Sequence, residues 1–180
     1  MFEYFTEPAK RAITIAQDEA TALEHDYIGS EHLLLGLAAV DTGTAGAVLS
    51  EHGVTPSRAR DEMVRIQRAA GITGGGGRDA VDALATLGID VEQIRSKADE
   101  SFGPGRFQFP LPAYSPDAKS MLELTLREAQ ALGHSSFDTE HMLLGLLAHG
   151  EGIGIEVLTA LGVDLAALRE AIHSRHRPTA

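Results

Sequence analysis

Two glutamate–histidine pairs, Glu31-His32 and Glu140-His141, are the residues of this sequence whose types could do chemistry. A carboxylate beside an imidazole suits a metal site or a general acid–base pair. The spacing argues against both. It is not HExxH, and no third ligand falls one helical turn away. His32 and His141 are therefore expected to be structural, hydrogen-bonding between helices. His25 and His134 fall where a first helix would end, and there a partly charged imidazole suits the helix dipole as a cap. There is no cysteine, so neither a disulfide framework nor a thiolate metal site exists. The serines sit at predicted caps or in polar turns with no basic activator beside them. The Gly-rich run Gly74 to Arg78 lacks the Lys-Ser/Thr of a phosphate-cradling loop, so ATP hydrolysis is not expected. No catalytic residue, metal or cofactor is expected.

The elements that must position these pairs are visible as a repeat. Sliding the chain by 109 positions lays FTEPAKRAITIAQDEATALEHDYIGSEHLLLGL, from Phe5, onto YSPDAKSMLELTLREAQALGHSSFDTEHMLLGL, from Tyr114. The same register runs on through Val48-Leu49 with Val157-Leu158 and Gly53-Val54 with Gly162-Val163. A partial third copy lies between them, because Asp82 to Arg95 matches Glu156 to Arg169 at a slide of 74.

Each full unit reads as four helices. Thr6 and Ser115 suit N-caps of the first, with Pro116 tolerated at the first helical position. Ala12, Ile13, Ala16, Ala20 and Leu23 make its apolar stripe. The second helix, EHLLLGLAAV or EHMLLGLLAH, is apolar almost all round and should be the buried one, capped by Ser30 or Thr139. Gly53 and Gly162 should stop the short third helix. The last begins after Thr55-Pro56 or Asp164. Period-two alternation is almost absent, so no sheet is expected.

The fold expected is all-α: a pseudo-twofold tandem repeat of two four-helix units, residues 1–70 and 114–177. A Gly-rich linker and an inserted helical half-unit, 71–113, separate them. Leu84, Leu87, Ile89, Val91 and Ile94 of the insert need burial; left bare, they would be a docking patch.

Hydrophobic residues make up 43% and charged residues 23%, enough for a proper core. The net charge of −11 opposes nucleic acid and anionic membrane, and favours basic partners. The start, MFEYFTEPAKRA, lacks the pattern of a signal peptide, and no apolar run approaches the roughly 20 residues of a membrane span. A cytoplasmic protein is the expectation.

MFEYFTEPAKRAI, IGSEHLLLGL, YSPDAKSMLELTLREAQALGH and TEHMLLGLLAHGEGIGIEVLTALGVDL together resemble the Clp N-terminal (Clp R) domain family, most closely its ClpC-type members. The likeness covers about Met1 to Gln67 and Tyr114 to His173. It implies a non-catalytic module that receives Clp-system substrates and adaptors, and here a stand-alone one without AAA+ modules, acting as adaptor, decoy or ligand sink. It also implies phosphoarginine binding, with arginine-phosphorylated proteins as partners. Glu31 and Glu140 would clamp the guanidinium while the phosphate meets helix-start amides, and Thr6 and Ser115 would supply hydroxyls nearby. Asp138, where repeat one has Gly29, adds negative charge to the second site. The resemblance further implies that Phe2 lines a hydrophobic groove for peptide-like ligands, antibiotics included. From the residues alone Phe2, Tyr4 and Phe5 read equally as a hydrophobic staple. The alternatives are a stress-response or transcription regulator working through protein contacts, and a vestigial unit without its own ligand.

Overall fold

The computed structural model describes residues 2–72, 84–103 and 112–176. A 3-10 turn at Phe2–Tyr4 leads into α1 (Glu7–Ala22), β1 (Tyr27–Ile28), α2 (Ser30–Ala39), α3 (Thr44–Glu51) and α4 (Pro56–Ala69). Repeat two has the same four helices but carries its strand before the first of them rather than after it: β2 (Ala113–Tyr114), α6 (Pro116–Ala131), α7 (Thr139–His149), α8 (Ile153–Ala160) and α9 (Leu165–His176). Between them stands α5 (Val91–Phe102), preceded by helical residues 84–86. Of the expected 71–113 segment, residues 73–83 and 104–111 lie outside the described residues.

The first helices start where their caps dictate. Thr6 Oγ1 accepts the Ala9 N–H at 3.4 Å, and Ser115 Oγ accepts the Ala118 N–H at 3.0 Å. In α1 the buried face is Ala9, Ala12, Ile13, Ala16 and Ala20, the expected stripe but for half-buried Leu23. Such small residues let α2 come close. A Cβ on Gly36 would overlap the carbonyl oxygen of Ala12, and one on Gly145 would lie 2.7 Å from that of Met121. Both second helices are sealed: Leu33, Leu34, Leu37, Met142, Leu143, Leu144 and Leu146 are all essentially inaccessible. Gly53 and Gly162 end α3 and α8 at the same left-handed φ of 76°, which residues with a Cβ rarely adopt.

The back halves interlock. Helix α8 packs on α2 and α4 of the other repeat, α3 packs on α7, and α9 packs on α3. One continuous core results.

The expectation of no sheet is corrected. β1 and β2 pair in parallel, Tyr27 with Ala113 and Ile28 with Tyr114, and Phe5 bridges Phe137 in the same way. The Ser115 N–H donates to Ile28 O at 3.0 Å and the Thr6 N–H to Phe137 O at 2.9 Å. Two-residue segments are too short to show an alternating pattern. Their pairing comes from where the first helices begin, each against the loop that leads into the other repeat's second helix.

Candidate functional site

Each second helix opens with a histidine that reaches back over its own start. His32 Nδ1 accepts the Gly29 N–H at 2.9 Å, and His141 Nδ1 accepts the Asp138 N–H at 2.9 Å. That is the back half of a capping box, with imidazole in place of the usual Glu or Gln. Since Nδ1 accepts, Nε2 of each ring carries the proton. It donates to Nδ1 of His25 in repeat one and of His134 in repeat two, both at 2.8 Å. His25 and His134 are thus partners of His32 and His141, which corrects their reading as caps of the first helix. Burial, helped by the nearby His25, holds His32 down at about 3. Burial lowers His25 as well, against a smaller opposing pull from Asp26. The His25 ring also stacks on Tyr27, 5.3 Å between centroids and 5° from parallel.

Glu31 is 2% exposed. Its carboxylate folds back over Gly29, where any Cβ would collide with it. Burial pushes its pKa up and Asp117 adds to this; hydrogen bonds from its own N–H, Tyr27 and Gln67 pull the other way. Gln67 Nε2 donates to Oε1 at 3.3 Å. His32 Nδ1 lies 3.5 Å from Oε1, but the ring is neutral and this is no ion pair. The orphan amide expected to meet an anion is therefore already satisfied by Glu31 itself. At the second entrance Asp138 occupies the Gly29 position and its Oδ1 accepts the Thr139 N–H at 2.7 Å. Glu140 is 7% exposed beside it.

Ser30 and Thr139 do not cap their own helices; Gly29 and Asp138 hold those positions. The two hydroxyls instead face across the pseudo-twofold axis. Ser30 Oγ accepts the Gly154 N–H at the start of α8, at 3.2 Å, and Thr139 Oγ1 accepts the Ala45 N–H at the start of α3, at 3.3 Å. Gly43 and Gly152, the N-caps of α3 and α8, have no side chain to do this. A local reading could not find these bonds, because the partners lie 124 and 94 residues away.

The predicted site residues are brought together crosswise. Ser115 joins the entrance of Glu31 through Ile28, and Thr6 joins that of Glu140 through Phe137. Both hydroxyls accept the helix-start bonds already described. Asp117 also lies at the first entrance, bonded to His149 Nε2. Each entrance thus holds a second carboxylate, Asp117 at one and Asp138 at the other.

Beside them an open groove of about 450 Å³ is floored by Phe5, Tyr114, Leu122, Leu126 and Phe137, with Lys119, Glu123, Arg127 and Gln130 supplying polar groups. It shares Leu126, Gln130 and Phe137 with a second hollow of about 330 Å³ that reaches Tyr4 and His134. Phe137 meets Phe5 edge-on at 5.3 Å. Tyr4 is 54% exposed and Leu126 40%. The side chain of Phe2 lies outside the described part of the structure, though its backbone begins the turn that carries Tyr4. Leu122, Leu126 and Phe137 were missed from the sequence. The signal was a second stripe on α6, at 119, 122, 123, 126, 127 and 130, beside the core stripe of Ala118, Met121, Thr125 and Ala129.

Among the described residues no cluster of three metal-ligating side chains occurs, and no single helix is long and apolar enough to cross a membrane.

A double four-helix repeat with two buried carboxylate entrances and a flanking apolar groove is the architecture of a protein-interaction module. The chain belongs to the Clp repeat (R) N-terminal domain family, whose model matches residues 4–79 and 113–178. It is 38% identical over 172 residues to an ATP-dependent Clp protease ATP-binding subunit ClpA homolog of Guillardia theta. It is 35% identical over 172 residues to the negative regulator of genetic competence ClpC/MecB of Bacillus subtilis. Each match covers 96% of this chain but 17% of the relative. The fold matches the N-terminal domain of the chaperone ClpD from Arabidopsis thaliana with a TM-score of 0.69 at 25% identity, covering 98% of this chain and all of that one.

Proposed function

We propose that this chain receives polypeptide segments, from substrates or adaptors of a Clp system, in the groove between the N-terminal turn and α6. The observation that carries this is the open apolar floor of Phe5, Tyr114, Leu122, Leu126 and Phe137, flanked by charges of both signs. A concave apolar surface with a few polar groups suits a peptide side chain, or a peptide-like macrocycle such as an antibiotic. Where the module acts apart from a motor, the same surface serves an adaptor, a decoy or a ligand sink.

A second, finer reading places arginine-phosphorylated chains at the entrances, through Glu31 with Ser115 and Glu140 with Thr6. Its support is the buried carboxylate at each helix start, a geometry that accepts a guanidinium. Glu31 must leave its own amide for the phosphate to enter, while Asp138 sets a fixed negative charge at the second entrance. The first entrance is the stronger because its second carboxylate, Asp117, is tied to His149 Nε2, whereas Asp138 sits at the helix start itself.

Fluorescence anisotropy with a labelled unfolded peptide, and calorimetry with free phosphoarginine, test the two separately. Leu126→Asp should weaken the peptide at least tenfold and leave phosphoarginine untouched. Glu31→Ala should weaken phosphoarginine more than Glu140→Ala. Peptide binding indifferent to Leu126→Asp overturns the groove reading, and no heat with phosphoarginine overturns the second.

A further inference from the structure

The groove along α6 is charged as well as apolar. Lys119, Glu123 and Arg127 line it at four-residue intervals beside Leu122 and Leu126. All three charged side chains are exposed, and among the described residues none of them forms an ion pair. Other cations are engaged. Arg169 meets Glu128 at 2.7 Å, Arg60 meets Glu19 at 2.8 Å and Lys10 meets Glu7 at 2.8 Å. Lys119 and Arg127 also stand apart from the core side of α6, which is built from Ala118, Met121, Thr125 and Ala129.

Repeat one supplies an internal comparison. In the register that lays Phe5 on Tyr114, the residues Lys119, Leu126 and Arg127 fall on Lys10, Gln17 and Asp18. There the lysine is held by Glu7, a glutamine replaces the exposed leucine, and an acid replaces the second cation. Two unpaired cations around an apolar floor therefore belong to repeat two, and the shared fold does not require them.

Their spacing fits one kind of chain. Lys119 and Arg127 are eight positions apart, about 12 Å along the helix at ~1.5 Å per residue. An extended segment rises about 3.3 Å per residue and turns every second side chain to one face, so its residues i and i+4 stand roughly 13 Å apart on that face with i+2 between them. Carboxylates at i and i+4 reach Lys119 and Arg127. The i+2 side chain falls on Leu122 and Leu126, and Glu123, midway between the cations, repels an acid there. The net charge of −11 pulls the other way, toward basic partners. At about 0.15 M salt the Debye length is about 8 Å, so that distant field is screened while pairs in contact persist.

We propose that the groove selects extended polypeptide segments of the pattern acid–x–apolar–x–acid, with the two carboxylates paired to Lys119 and Arg127 and the apolar side chain seated between them. This rests on the groove as the polypeptide site and names the class of segment it takes. Leu122 and Leu126 supply the anchor, the two cations set the preferred flanks, and Glu123 excludes a run of acids.

Fluorescence anisotropy of the whole chain at about 0.15 M salt tests it, with labelled peptides of core Glu-Ala-Phe-Ala-Glu and matched peptides carrying glutamine or lysine at both flanks. The acid-flanked peptide should bind about fivefold tighter than the glutamine-flanked one, as two exposed ion pairs allow, and the lysine-flanked one should bind weakest. Lys119→Glu combined with Arg127→Glu should reverse the order, with a circular dichroism melt to show that the fold persists. Moving both acids to one side of the phenylalanine should remove the advantage. Equal affinity for the three peptides, still lost in Leu126→Asp, overturns the proposal and leaves the groove reading standing. So does an order that the double reversal fails to change, or an advantage that survives moving the acids. No binding by any peptide, or binding indifferent to Leu126→Asp, overturns both.

Discussion

Replacing His32 with glutamine separates the cap this residue makes from the proton it refuses. Glutamine at the third helical position can still accept the Gly29 N–H, as in an ordinary capping box. It cannot titrate, and it loses the bond to His25. The folded ring is held at about 3 against an ordinary 6.5, so between those values the unfolded chain binds a proton that the folded chain does not. Stability from this residue is present above pH 6.5 and is lost as pH falls toward 3. At about 1.4 kcal/mol per pH unit, moving from pH 6.5 to 5 costs roughly 2 kcal/mol through His32 alone. Glu31 works the other way, because its folded pKa is raised and it favours the folded state as it protonates. Comparing wild type with His32→Gln at each pH largely removes that shared term. The assay is urea unfolding followed by far-ultraviolet circular dichroism at pH 7, 6 and 5. His32→Gln should be less stable by about 1 kcal/mol at pH 7, for the lost hydrogen bond. The deficit should shrink and then reverse toward pH 5. A constant deficit over that range would refute the reasoning, since it would mean that His32 protonates as readily in the fold as out of it.

Gly36→Ala should cost about 1–3 kcal/mol or more, because its methyl group has nowhere to go but into the Ala12 carbonyl, and α1 must move off α2; urea midpoints measure it. Ser30→Ala and Thr139→Val should each cost about 1 kcal/mol, the worth of a helix cap. Hydrogen exchange should place the loosening at the start of the opposite repeat's third helix, α8 for Ser30 and α3 for Thr139. Gly88→Ala should destabilise the half-unit while leaving the main melting transition in place, since it strains a left-handed turn that lies off the core.

Features that live within one helix were legible in the sequence. Thr6 and Ser115 announce their helices, the leucines of α2 and α7 announce burial, and Gly53 and Gly162 announce stops. The register linking Phe5 to Tyr114 carried the pseudo-twofold fold. What escaped lies between repeats. Nothing near Ser30 points to Gly154, and nothing near Thr6 points to Phe137, so the crosswise pairing of hydroxyls and strands had no local signature. The His25–His32 bond was hidden for a different reason. The helix-end position of His25 suggested a charged cap, whereas burial makes the neutral ring the stable form. For the groove, the sequence offered only Phe2, with Tyr4 and Phe5 read beside it as a staple, and the wall from Leu122 and Leu126 needed a second stripe to be separated from the first on a single helix.

The hydroxyls of Ser30 and Thr139 bear on how such a chain came to be. Each closes a helix in the opposite unit, and each unit gives the same kind of bond that it takes. A half-length ancestor with one such unit would leave a helix start bare and a buried hydroxyl idle. Two identical ancestors could satisfy both at once by facing each other about a twofold axis. Fusion of their genes would then have kept the reciprocity while letting the two sides drift, serine on one and threonine on the other.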